Sequence, residues 1–147
     1  EYQVKAVFIY NFAKFISWPD EVKEGPMVIG VWGKDPFGEF WDEIKNKEVR
    51  GKPVELKFCN MDIGSALKCN ILFIHPGDQD TLDLVLEALK GKPVLTIGDS
   101  AEFAEAGGMM GFFQEENKVR FAINLKRCKA AGLDVSSNLL KLARLVD

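Results

Sequence analysis

Asn70-Ile71-Leu72-Phe73-Ile74-His75 is the stretch whose reading decides the fold. It has no polar alternation, is rich in β-branched and aromatic residues, and is closed by Pro76-Gly77-Asp78, which is the profile of a strand buried on both faces. Leu72, Phe73 and Ile74 are therefore expected in the core. Strands of this kind belong to α/β sheets covered by helices on both sides, where ligands sit beyond the carboxyl ends of the strands. His75, the only histidine in the chain, falls at that end.

Moving upstream, residues 27–32 form a second apolar run of strand length. It leads through Gly33-Lys34-Asp35-Pro36 into a helix with Phe37, Phe40, Trp41 and Ile44 on one face. Asp35 is placed to cap that helix and Pro36 to open it. Gly33 and Gly38 have the spacing of a nucleotide-phosphate loop, but Glu39-Phe40 stands where Lys-Ser/Thr is needed, so the glycines serve the turn. Residues 53–58 alternate enough to predict an edge strand with one wet face, and a short helical turn over 62–67 returns the chain to the central strand. Farther upstream, residues 2–17 read as a helix ended by Trp18-Pro19-Asp20. Its apolar stripe runs through Val4, Val7, Phe8, Phe12, Phe15 and Ile16, with Asn11 inside it as a tie to a loop.

Moving downstream, Asp80 caps a helix with Leu82, Val85, Leu86 and Leu89 on one face, stopped by Gly91 and Pro93. A strand over 94–97 opens at Gly98-Asp99, where Asp99 and Glu102 have the spacing of a capping box. Residues 109–114 and 118–124 flank a tight Glu115-Glu116-Asn117 connection and predict a β-hairpin. Two closing helices follow, one stopped by Gly132 and one capped by Ser136 and carrying Leu139, Leu140, Ala143 and Val146. The order predicts an α/β fold with a mostly parallel, Rossmann-like sheet of about six strands. A carboxyl-terminal antiparallel hairpin is attached, and helices cover both faces. Periodicity leaves open whether this is one sheet or two smaller halves.

Length and composition agree with one domain over residues 1–147. At 47% hydrophobic and 28% charged the chain is of ordinary globular usage, enough to bury roughly 68 to 70% of its extended surface. A net charge of −3 gives no whole-protein electrostatic case for nucleic acid. No apolar run approaches the roughly 20 residues of a membrane span. The start at Glu1 fits either removal of a signal peptide or trimming. Three cysteines, Cys59, Cys69 and Cys128, are too few and too scattered for a zinc site. Cys59 follows one strand and Cys69 precedes the next parallel one, so the two are expected about 17 to 20 Å apart and unpaired.

Taken together, Lys5-Ala6-Val7-Phe8-Ile9-Tyr10-Asn11-Phe12-Ala13-Lys14-Phe15, Trp18-Pro19, Gly33-Lys34-Asp35-Pro36-Phe37-Gly38 and Cys69-Asn70-Ile71-Leu72-Phe73-Ile74 resemble the YfiR/HmsC-like periplasmic family. In the second half, Leu95-Thr96-Ile97-Gly98-Asp99, Gly107-Gly108-Met109, Val119-Arg120-Phe121-Ala122-Ile123-Asn124 and Ser136-Ser137-Asn138-Leu139-Leu140 are similar to its pattern. One departure is Asn70, where the family usually carries His. The resemblance implies a secreted, periplasmic α/β regulator that does no chemistry, needs no cofactor and signals through cyclic-di-GMP by holding down a membrane-anchored diguanylate cyclase. Sensor kinases and outer-membrane receptors are the other partner classes it implies.

Two surfaces are candidates for function. Gly33, Asp35, His75, Gly98 and Asp99 are expected at neighbouring strand exits, as a small-ligand pocket or, with His75 between two carboxylates, as a hydrolase-like acid/base group. Against catalysis, both aspartates are already explained as helix caps, and no Gly-x-Ser-x-Gly, His-Glu-x-x-His or Cys-x-x-Cys is present. The second candidate is a partner-binding surface. It comprises the leftover helix patch Ala6, Ile9, Tyr10 and Ala13 and the cations Lys126, Lys129, Lys141 and Arg144. The same patch can instead build a homodimer. No residue set is expected to hold a metal.

Overall fold

The computed structural model describes residues 1–19, 25–75 and 79–147. The elements in order are α1 (Tyr2–Phe15), β1 (Ile16–Ser17), β2 (Met27–Trp32), a 3-10 helix (Gly38–Glu43), β3 (Glu48–Val49), β4 (Lys52–Phe58), α2 (Ile63–Ala66), β5 (Ile71–Ile74), α3 (Gln79–Leu89), β6 (Leu95–Gly98), α4 (Ala101–Glu105), β7 (Met110–Glu115), β8 (Lys118–Asn124), α5 (Leu125–Ala130), β9 (Asp134–Val135), α6 (Ser137–Leu140) and β10 (Arg144–Val146). The turns expected at Trp18-Pro19-Asp20 and Pro76-Gly77-Asp78 fall partly or wholly outside the described residues.

Among those residues one main sheet forms, in the order β10-β8-β7-β6-β5-β2-β4-β3. Its centre is parallel and the β7–β8 hairpin is antiparallel. It has eight strands where about six were expected, because short strands cover the edges. β3 pairs with β4, and β10 pairs with β8. The alternative of two half-sheets is thereby excluded. The hairpin turns on Glu116 and Asn117, both at positive φ (53° and 65°), the signature of a two-residue turn whose twist matches the strands.

β5 lies in the middle, between β6 and β2, and Ile71, Leu72, Phe73 and Ile74 are all buried. Because side chains alternate along a strand, the strand feeds two cores. Ile71 and Phe73 join the cluster under α1 that includes Ile9, Phe12, Phe112 and Phe121, whereas Leu72 and Ile74 pack with Ala66, Val85, Leu89 and Phe103 from α2, α3 and α4. Asn70, the departure from the family pattern, stitches the start of β5. Its Oδ1 accepts from Val28 N at 2.8 Å, and its carbonyl accepts from Trp18 Nε1 at 3.0 Å.

The structure corrects α1. Its buried residues are Lys5, Ala6, Ile9, Phe12 and Ala13, while Val4, Val7 and Phe15 of the expected stripe are exposed. Ala6, Ile9 and Ala13 are therefore core and not a partner patch. Apolar residues occur all round this helix, so period alone does not select a face. Packing selects the one where Ala6 and Ala13 allow close approach and Phe12 stacks on Phe112 (5.8 Å) and meets Phe121 edge-on (4.9 Å). The helix ends at Phe15 because Ile16 and Ser17 pair with Val135 and Asp134 in a separate two-stranded clasp.

Three other expectations change. Gly38 stands at φ 52°, so no regular helix runs on from Pro36, and a 3-10 helix forms instead. The last helix is a single turn. Arg144 to Val146 leave it to pair with Ala122 to Asn124 on the open side of β8. Cys59 and Cys69 are not a strand length apart, for their sulfurs stand 4.0 Å from each other. The turn ending α2, in which Cys69 N donates to Ala66 O at 3.1 Å, lays Cys69 over the face of β2 and out of line with β5. Both thiols meet above Gly30, where a Cβ would stand 2.4 Å from Cys69 Sγ and 3.4 Å from Cys59 Sγ. Glycine in mid-strand is explained by that close approach.

Candidate functional site

β2, β5 and β6 run parallel and side by side, so their carboxyl ends bring Gly33, His75 and Asp99 to one edge, as expected. The space there is filled by the protein's own atoms. A Cβ on Gly33 would lie 3.5 Å from the His75 carbonyl, and one on Gly98 would lie 2.3 Å from Phe103 Cγ. Gly98 is thus a seat for the Phe103 ring. Asp35 accepts from Phe37 N (3.0 Å), Gly38 N (3.1 Å) and Trp41 Nε1 (3.0 Å), fixing the entry to the 3-10 helix.

Asp99 does not cap α4; Ser100 does, accepting from Phe103 N. Asp99 instead binds α1. Lys5 Nζ donates to Asp99 Oδ1 at 2.7 Å and to the Glu1 carboxylate, while the Tyr2 hydroxyl donates to Asp99 Oδ2 at 2.5 Å. Lys5 is only 3% exposed, and its ammonium lies 4.4 Å from the Tyr2 ring centroid. Burial first, and then the hydrogen bond to Asp99, raises the Tyr2 phenol well above its ordinary pKa, so it stays a donor. Tyr2 in turn meets Phe37 edge-on at 5.4 Å. The first turn of α1 therefore plugs the exit of β6 with a buried ion pair. Sequence reasoning gave Lys5 no role; its i+1, i+4 and i+7 neighbours Ala6, Ile9 and Phe12, all buried, were the available signal.

His75 lies past β5 with its Nδ1 buried and without a hydrogen-bond partner among the described residues, and its backbone N donates to Trp32 O at 3.0 Å. With Asp35 bound to backbone and indole and Asp99 to Lys5 and Tyr2, no acid/base group is assembled around it among the described residues. Among the described residues, cavities of about 400, 350 and 260 Å³ lie away from His75. The first opens between α3 and α5, lined by Asp83, Leu86, Glu87, Thr96, Met109 and Arg127. Arg127 forms one wall, and its guanidinium also donates to the carbonyls of Ala104 (2.7 Å), Gly108 (3.2 Å) and Glu105 (3.3 Å).

Of the partner-surface candidates, Tyr10 is half-buried. Its hydroxyl donates to Glu48 O at 2.8 Å, and its ring lies under the ammonium groups of Lys14 and Lys47. Lys126, Lys129, Lys141 and Arg144 are exposed. Arg144 pairs with Glu115 at 3.0 Å and covers the Phe113 ring at 4.2 Å. The exposed apolar side chains near them in sequence or on α1 are Val4, Val7, Phe15, Leu142 and Leu145. No helix of the described residues is long and apolar enough to cross a membrane.

Comparison with known proteins adds two findings. The family model described as YfiR/HmsC-like matches residues 2–144. Among solved structures, the chain resembles the ABC domain in complex with L-Trp from Streptococcus pneumonia, with a TM-score of 0.56 at 12% identity, covering 82% of this chain and 55% of that one. The chain thus spans about half the length of that protein, and at this identity the likeness is one of fold.

Proposed function

The chain belongs to the YfiR/HmsC-like family, and from that premise we propose that it is a periplasmic regulator that binds and represses a membrane-anchored signalling protein of the diguanylate-cyclase type, with no chemistry of its own. The observation that carries the proposal is the match over residues 2–144, nearly the whole chain. The filled strand exits support it: the carboxylates placed to serve His75 are held by Lys5, Tyr2, Trp41 and backbone donors. Partner contact falls to what the fold leaves outside, the Val4, Val7 and Phe15 face of α1 and the cations Lys126, Lys129 and Lys141.

The test is co-expression with a membrane-anchored diguanylate cyclase from the same genome. The protein is expected to co-purify with that cyclase's periplasmic region and to lower cellular cyclic-di-GMP. Val7→Glu should weaken binding roughly tenfold or more, as loss of an apolar contact at an interface does, and His75→Ala should leave it unchanged. Absence of both binding and a cyclic-di-GMP response overturns the reading.

A second reading, a small-ligand sensor, is favoured by the cavity of about 400 Å³ beside Leu86, Met109 and Arg127, within the usual range for ligand sites. A metabolite that raises the melting temperature, with Met109→Trp abolishing the shift, supports it, because a ligand bound only to the folded state stabilises that state.

A further inference from the structure

We propose that Cys59 and Cys69 are a disulfide-forming pair, closed by exchange with a disulfide-bearing oxidant, and that Cys128 remains the free thiol. Three observations carry this. The two sulfurs are 4.0 Å apart, so a modest rotation of both side chains brings them to the bond length of about 2.03 to 2.05 Å. The room for them exists because position 30 is glycine: a side chain there would collide with Cys69 Sγ. The third cysteine is excluded by the sheet itself. Cys59 and Cys69 belong to the core on the α2–α4 face, whereas Cys128 belongs to the core on the α1 face.

The surroundings also order the chemistry. The two thiols share a contact in which either can donate, and the Cys69 thiol also donates toward the Ser65 carbonyl at 3.6 Å; the contact with Cys69 and then the charge of Lys57 lower the Cys59 thiol, while the same contact and burial raise Cys69. Cys59 is therefore the attacking sulfur. Its thiolate attacks one sulfur of the oxidant's disulfide, forming a mixed disulfide and expelling one thiolate of the oxidant. Cys69 then loses its proton and attacks Cys59 Sγ, expelling the second. Two electrons and two protons pass from the pair to the oxidant, which leaves as two thiols. Cys59 and Cys69 are 2% and 3% exposed, so exchange requires the intervening segment to lift. That segment is suited to it. It starts with Asn60 and Met61 at positive φ, contains one helical turn, and exposes Met61 and Leu67.

The experiment is to incubate the native, reduced protein with oxidised glutathione, quench with acid, and alkylate in guanidinium. One alkylated cysteine, Cys128, and a peptide cross-link between Cys59 and Cys69 are expected, against three alkylated cysteines after reduction. The oxidised protein should melt roughly 5 to 10 °C above the reduced one, from the effect of closing a loop of this length. Cys128→Ser should keep the cross-link, and Cys59→Ser and Cys69→Ser should each lose both the cross-link and the added thermal stability. Three free thiols after incubation, a cross-link involving Cys128, or a glutathione adduct that stays on Cys59 without closing would overturn the proposal. None of these outcomes depends on the partner proposed above.

Discussion

Burying the ammonium of Lys5 removes it from water, a loss that only close anions and an aromatic face offset. Asp99, Glu1 and the Tyr2 ring supply these. Lys5→Ala should cost about 3 to 5 kcal/mol in a urea denaturation, since it leaves Asp99 without its cation. Tyr2 adds a pH dependence whose sign follows from the direction of its shift. The fold raises the phenol's pKa, so the stability Tyr2 contributes is complete below the unfolded value of about 10 and declines as pH rises above it. Tyr2→Phe is expected to lower stability across the neutral region, where the contribution of the hydroxyl is complete, and to flatten the alkaline limb; an unchanged alkaline slope would show that the phenol is not held by the fold. Phe73 belongs to the same scale. It is fully buried and meets Phe37 edge-on at 4.9 Å, so Phe73→Ala should cost about 3 to 5 kcal/mol.

At the scale of elements, α1 separates what periodicity can tell from what it cannot. β2, β5, β6 and the β7–β8 hairpin were legible because continuous apolar runs and strict alternation each have one structural meaning in a covered sheet. The facing of α1 was not legible, for Val4, Val7 and Phe15 compete with Ala6, Ile9 and Ala13, and large residues outweigh small ones in any apolar count. Contact with the sheet reverses that weighting. The candidate site divides in the same way. The adjacency of Gly33, His75 and Asp99 followed from strand order, but the plug of Lys5 and Tyr2 depends on where a distant helix docks. Ile9→Glu should unfold the protein or lower its melting temperature sharply, because it places a carboxylate in a fully buried position. Val7→Glu, on the exposed side, should leave circular dichroism and melting nearly unchanged. Equal effects of the two substitutions would contradict the observed facing.

At the scale of the molecule, the two ends of the chain close on each other. Ile16 and Ser17 pair with Val135 and Asp134, Gln114 Nε2 donates to Glu1 at 2.8 Å, and Lys5 reaches Asp99 across 94 residues of sequence. Such distant pairings carry a loop-closure penalty and form after the local ones. Val135→Ala is expected to speed unfolding while leaving the folding rate almost unchanged, as substitutions outside a folding nucleus do, and stopped-flow measurement of both limbs would test this. The clasp between β1 and β9 thereby sets a calendar for biogenesis. The helix made early in this sequence has its full berth only after residue 135 has been made, and until then it is a detached apolar segment with Phe8 and Phe12 open to whatever escorts the growing chain.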